Sequence, residues 1–360
     1  MINSNIRLIA FYLPQFHPIP ENDLWWGKGF TEWTNVGKAK PLFKGHYQPR
    51  VPADLGYYDL RVSETRIQQA ELAKTHGIEG FCYWHYWFGN GKRLIERPFN
   101  EVLISGDPDF PFCLAWANES WKGFAHGIKN RNLLIEQLYP GESDIVNHFY
   151  ELLPAFKDKR YMKVDDKPIF LVYKPLNLPY ATTFMQLWNK LAVENGLNEF
   201  FFIGQTSDVK EIEQIKILGF NSVNLIRIFD FIQKRSVIKK VLDRLMVSIL
   251  KKPKKYYYSK VSKYFSGEED FEENTIPTLF PNWDHSPRSG NEGIVLHDSK
   301  PKYFEKHVFD VFQKVKDKAP QKRIVFIKSW NEWAEGNYLE PDLKFGKKYL
   351  EIVKKCLKNN

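Results

Sequence analysis

The chain has 360 residues, enough for one large barrel or two ordinary domains, and 43% of them are hydrophobic, which places it among globular proteins with a sizeable core. Its net charge of +9 is concentrated: eleven Lys and Arg against the single acid Asp243 fall within 234–263, and the remainder is close to neutral. No RNA or DNA motif surrounds that basic segment, and no run of about 18 uninterrupted apolar residues is present to make a membrane span, so neither nucleic-acid binding nor a spanning helix is expected.

Taken in chain order, apolar β-branched and aromatic runs alternate with runs of helical period. The first strand is predicted at 6–12, and a long loop after it carries Trp25, Trp26 and Trp33, a candidate wall for a cleft. The spacing then predicts a helix over 59–76 stopped by Gly77, a strand over 78–84, a short helix over 94–103 and a strand over 111–116. A helix over 144–156 leads to an almost continuously apolar strand over 168–173, the pattern of a parallel strand covered on both faces. A helix over 182–195 stops at Gly196 before a strand at 200–204, and one over 209–218 stops at Gly219 before a strand at 220–225. The last third gives a helix over 236–250, a strand over 278–283, a helix over 302–315, a strand over 323–329 and a closing helix over 343–357.

Eight strands alternating with helices predict an α/β protein, a (β/α)8 TIM barrel forming one domain over 1–360. The competing open doubly wound sheet would need a glycine-rich turn after its first strand, and this chain has the proline-rich run Leu13-Pro-Gln-Phe-His-Pro-Ile-Pro20 there.

A barrel places its site at the C-terminal ends of the strands. Those ends carry Tyr12, Gln15 and His17, then Tyr83, Trp84 and His85, then Trp116, Asn118 and Glu119. Tyr173 and Lys174 follow the fourth strand, Trp283, Asp284 and Arg288 the seventh, and Trp330, Asn331, Glu332 and Glu335 the eighth. Carboxylates flanked by indoles suit sugar chemistry, in which carboxyl groups act as acid and base around an anomeric carbon and aromatic faces stack on sugar rings.

Other chemistries have less support. None of the nine histidines pairs at i, i+4 or stands with Cys at ligand spacing, so no metal or other cofactor is expected. No nucleophile elbow is present; Arg288 or Lys174 would be the residues to hold a phosphate. Glu332, Glu335 and Glu119 are the candidate carboxylates, with Asp284 behind them, and Glu335 beside Trp333 is expected to have a raised pKa and act as the acid. His17 and His85 are either hydrogen-bond partners of sugar hydroxyls or satisfied core histidines.

The segments Tyr12-Leu-Pro-Gln-Phe-His-Pro18, Gly29-Phe-Thr-Glu-Trp33, Phe81-Cys-Tyr-Trp-His-Tyr-Trp-Phe88, Trp116-Ala-Asn-Glu119, Asn282-Trp-Asp284 with Pro287-Arg288, and Trp330-Asn-Glu-Trp-Ala-Glu-Gly336 resemble the WbsX-type glycosyltransferases of bacterial surface-polysaccharide clusters. These are related to the endo-mannosidase barrels of glycoside hydrolase family 99. The resemblance spans about residues 6 to 350. It implies catalysis by Glu332 as base at a sugar 2-hydroxyl and by Glu335 as acid, then base, at the glycosidic oxygen, through an anhydrosugar. It also implies that Trp116, Asn118 and Glu119 line the sugar pocket. Asn337 departs from the pattern, standing where the hydrolases tend to have Thr.

Three readings follow: a glycosyltransferase building an O-antigen or capsule repeat on a lipid-linked oligosaccharide, with a sugar nucleotide as a candidate donor; a retaining endo-glycosidase; or a carbohydrate-binding barrel without activity. The N-terminus lacks a basic region leading into an apolar core and cleavage site, and the three cysteines are odd in number and far apart, so a reducing, cytoplasmic setting without structural disulfides is expected. The segment 234–263 is either an ordinary barrel helix with a solvated basic face or an amphipathic contact with the anionic inner membrane face.

Overall fold

The computed structural model describes residues 5–123 and 132–359. Its centre is a parallel barrel of eight strands: β1 (Arg7–Tyr12), β2 (Gly80–His85), β3 (Phe112–Trp116), β4 (Lys167–Val172), β5 (Phe201–Thr206), β6 (Ser222–Leu225), β7 (Thr275–Leu279) and β8 (Ile324–Ile327). Each strand pairs with the next in parallel. The barrel closes where Arg7 stands opposite Ile324 and Ala10 opposite Ile327.

The strand sequences account for this. Leu8 to Tyr12 and Pro168 to Val172 are buried without a break, because a barrel strand faces the interior on one side and helices on the other. Phe11 of β1 is stacked between Trp84 of β2, 4.9 Å away, and Phe326 of β8, 4.7 Å away, which knits the closure and fixes the Trp84 indole. The outer helices bury one stripe each. In Pro301–Val315 the buried residues are Phe304, His307, Val308, Val311, Phe312 and Val315, spaced by three and four. Gly77 and Gly196 have φ of +85° and +79°, the left-handed conformation that ends a helix at little cost only in glycine.

Three predicted elements come out differently. The seventh strand is Thr275–Leu279 rather than 278–283, because Phe280 and Trp283 leave the sheet for a satellite cluster with Ile228, Tyr258 and Phe265. The last helix is Lys348–Lys358, since the Asp342 carboxylate accepts the amides of Lys344 and Phe345 and holds a turn where the helix was expected to begin. The helix predicted at 236–250 forms as Val237–Ser248, but none of its residues is buried, so it is not an ordinary barrel helix.

The long first loop contains two helices, Pro20–Trp26 and Glu32–Lys38. Short strands Lys254–Tyr257 and Ile294–His297 pair in parallel outside the barrel. Among the described residues no helix is long and apolar enough to cross a membrane.

Candidate active site

The motif after β8 folds into a tight hairpin. Asn331–Glu332 pairs antiparallel with Asn337–Tyr338 around the turn Trp333–Glu335. Asn331 clamps the backbone of Leu13 through both ends of its amide, at 2.8 and 3.0 Å, tying the hairpin to the loop after β1. The Glu335 carbonyl accepts the Asp284 amide at 2.7 Å, tying it to the loop after β7. Gly336 turns at φ +55°, and a Cβ there would lie 2.7 Å from the Asp284 Cβ. Glu332 and Glu335 are thereby held at the wall of a cleft of about 780 Å³ at the C-terminal end of the barrel.

Around the two carboxylates the charges are closely matched. Glu332 Oε1 accepts the Trp84 indole N–H at 2.9 Å, and its Oε2 accepts Lys328 Nζ at 2.9 Å. Glu335 Oε1 accepts Arg288 Nη1 at 2.5 Å, and its Oε2 lies 3.9 Å from Lys328 Nζ. Lys328 Nζ thus reaches both carboxyl groups. Arg288 continues through Nη2 to Glu32 Oε1 at 2.8 Å, so one guanidinium bridges two carboxylates.

Burial pushes the Glu332 carboxyl above the ordinary carboxylate range, outweighing Lys328. Burial also acts on Glu335, but there Arg288 and Lys328 prevail and hold it below that range. The expectation of a raised pKa for Glu335 is therefore corrected: an indole neighbour was weighed, and the arginine supplied by the loop after β7 was not. In the substrate-free site the proton favours Glu332. Burial likewise raises Glu32 against the pull of Arg288, and lowers His285 to about 3 with Arg288 adding to the effect. Lys328 stays charged because Glu332 and Glu335 outweigh its burial.

Seven of the candidate residues line the cleft: Gln15, Trp84, Asn118, Glu119, Arg288, Glu332 and Glu335. Asn118 is braced from both ends, its amide NH₂ donating to the Lys174 carbonyl and its oxygen accepting the Lys174 amide. The other nine stand behind the wall. Tyr12 donates to Gln69, Trp116 to the Trp87 carbonyl, and Asn331 to Leu13. His85 is paired with buried His148 at 2.8 Å, and burial holds it uncharged, so the core-histidine alternative describes it. His17 is buried against the Pro14 carbonyl. Tyr83 and Trp330 are buried in the core; Trp283 is buried in the satellite cluster. Asp284 is fully buried and accepts His46, Gln48 and Ser286, so its charge is used to hold loops together. Period-two reading names both faces of a strand end, and only one face reaches the cleft.

Two charged partners escaped the sequence reading. Lys328 was hidden at the end of an apolar strand, although a Lys directly after Ile324–Ile327 and four residues before Glu332 is itself a signal of a buried pair. Glu32 lies 256 positions from Arg288 and its role depends on that contact. Tyr86, Trp121, Tyr139 and Tyr173 complete an aromatic wall, and Trp25 stands edge-on to Trp121 at 6.0 Å. Neither residue read as a phosphate holder is free for it: Arg288 is engaged by two carboxylates, and Lys174 lies over the Tyr173 ring, off the cleft wall. Among the described residues no three of His, Cys, Asp and Glu are grouped to hold a metal ion; His126 lies outside them.

Comparison with known proteins agrees with this architecture. A glycoside hydrolase-like protein of known structure superposes over 99% of this chain and 95% of its own, with a TM-score of 0.61 at 15% identity. The GH99 endo-alpha-mannosidase of Bacteroides thetaiotaomicron superposes over 98% of this chain and 97% of its own, with a TM-score of 0.59 at 14% identity. At those identities the likeness is one of fold. Two uncharacterized WxcX proteins of Xanthomonas campestris pv. campestris are 35% identical over 97% of the chain, which spans about half of their length, 49%. The model of the family described as Glycosyltransferase WbsX matches residues 8–353, and the chain belongs to that family of carbohydrate-active enzymes.

Proposed function

We propose that the chain is a glycosyltransferase acting on a lipid-linked glycan of a bacterial surface polysaccharide, with Glu332 and Glu335 as its acid and base and a sugar nucleotide as donor. The observation that carries this reading is the carboxyl pair on the wall of an aromatic cleft, both members within reach of Lys328, one raised and the other depressed from the ordinary carboxylate range.

The closeness of the pair supports a particular use. Carboxyl groups that invert an anomeric centre stand about 6.5–9.5 Å apart to admit water between them, whereas here a single Lys328 Nζ reaches both, at 2.9 and 3.9 Å. Two adjacent carboxyls fit two adjacent oxygens, such as the 2-hydroxyl and the anomeric oxygen of one sugar. For Glu335 to act as acid it must gain a proton, which the free site favours on Glu332, its neighbour across Lys328.

The same pair supports a second reading, a retaining endo-glycosidase, which the shared fold with the mannosidase favours. Turnover separates the two. Purified chain and Glu335→Gln are supplied with sugar nucleotides and a lipid-pyrophosphate-linked acceptor, and in parallel with mannose-containing oligosaccharides. Sugar added to the lipid by the wild type, and by the variant about 1,000-fold more slowly, supports the transferase. Cleavage of oligosaccharide with retention and without donor rejects it for the glycosidase, and no turnover in either arm rejects both.

A further inference from the structure

The helix Val237–Ser248 lies in the connection that leaves the C-terminal end of β6, so it is built on the same end of the barrel as the cleft. It is fastened by one side. Asp243 accepts Arg235 at 3.1 Å and the Tyr256 hydroxyl at 2.7 Å, and it shares the inward side with partly buried Lys240 and Val247. At about 100° per residue, the opposite side of the helix carries Ile238, Val241, Leu242, Leu245 and Ile249. These side chains are exposed by 73, 53 and 69% at Ile238, Leu242 and Ile249, and by 46 and 45% at Val241 and Leu245. An apolar face this continuous is not what a water-facing helix needs.

Charge identifies what covers it. Lys239 and Arg244 flank the apolar face, one on each side, and exposed Lys251, Lys252 and Lys255 follow the helix. The segment 234–263 holds eleven bases and one acid, and that acid is already engaged. A second copy of this surface would meet it with like charge, whereas an anionic bilayer offers apolar depth beneath a negative headgroup layer. We infer that Val237–Ser248 lies in the interface of an anionic lipid membrane, its apolar side inserted and its flanking bases at the headgroups. The cleft then opens beside a lipid surface. This inference does not depend on which reaction the cleft performs.

Sedimentation of the full chain with sucrose-loaded vesicles tests it, using phosphatidylcholine alone and an equal mixture with phosphatidylglycerol. Binding to the mixed vesicles only is expected. Ile238→Asp with Leu245→Asp should weaken it about tenfold or more, since two inserted side chains become charged. Lys239→Gln, Arg244→Gln, Lys251→Gln and Lys252→Gln together should weaken it about 1,000-fold, at roughly 1 kcal/mol for each base. Failure to sediment with the anionic vesicles overturns the inference, as does equal binding to neutral ones or binding unchanged by the variants. Light scattering without lipid gives the remaining outcomes: a monomer supports the inference, and a dimer abolished by the aspartates overturns it in favour of self-association. The aspartates should leave the melting temperature unchanged; a fall would mean that the face packs on the body, and would equally overturn it.

Discussion

Arg288 Nη1 stands 2.5 Å from Glu335 Oε1, and this contact sets the charge of the site. Glu335 is depressed below its ordinary value despite burial, so the contact contributes stability above the unfolded carboxylate pKa, and that contribution is lost as pH falls through the depressed folded value. Arg288→Met should raise the pKa of both Glu335 and Glu32, visible as an upward shift of the pH at which the buried carboxyl bands titrate in the infrared. It should destabilise the protein by about 3–5 kcal/mol near neutral pH, because two buried carboxylates lose their partner.

Trp84→Phe should reduce turnover by about 10- to 100-fold and lower stability by about 1–3 kcal/mol, since Glu332 loses a buried donor. The indole N–H donates to Glu332 Oε1, a bond to a charged or protonated carboxyl worth about 1.5–3 kcal/mol, while the stack on Phe11 survives in phenylalanine. Urea melts beside steady-state kinetics separate the two effects.

Gly336→Ala should be disproportionately damaging for one methyl group. The position has φ +55°, and the new Cβ would meet the Asp284 Cβ at 2.7 Å and its backbone nitrogen at 2.8 Å. Because Asp284 donates its amide to the Glu335 carbonyl, relief of that clash moves a candidate catalytic carboxylate. A fall in kcat of about 100-fold is expected, as a misplacement of about 1 Å costs, alongside roughly 1–3 kcal/mol of stability.

Glu340, behind the cleft wall, gives a second pH dependence. Burial raises its carboxyl to about 7, against the donors Trp333, Gln69 and Tyr58, each of which hydrogen-bonds it at 2.6–2.9 Å. The folded state holds this proton more tightly than the unfolded chain. Its contribution is therefore fully present below about 4.5, the unfolded value, and is lost as pH rises through about 7. Urea unfolding should show stability falling across that window from this group, and Glu340→Gln should flatten the slope while costing about 1–3 kcal/mol through mismatched donors.

The sequence by itself determined the barrel, its strand order and the end at which the cleft opens. Continuous apolar strands, helical stripes such as Phe304 to Val315 and terminating glycines at 77 and 196 are local signals that the tertiary structure only had to satisfy. It also singled out Glu332 and Glu335, because carboxylates among indoles at a strand end are costly without a purpose.

What the tertiary structure decided was which side of each strand end meets the cleft, and which charges meet one another. Tyr83 and His85 were as plausible in one dimension as Trp84, yet alternate residues of a strand point to opposite faces, and Trp84 alone of the three lines the cavity. Arg288, Glu32 and Lys328 come from two separate loops and a strand end, so the sign of the Glu335 shift depended on a contact across 47 positions of chain, to an arginine itself held by Glu32 256 positions away. Electrostatic environment is a property of distances through space, and no periodicity along the chain encodes it.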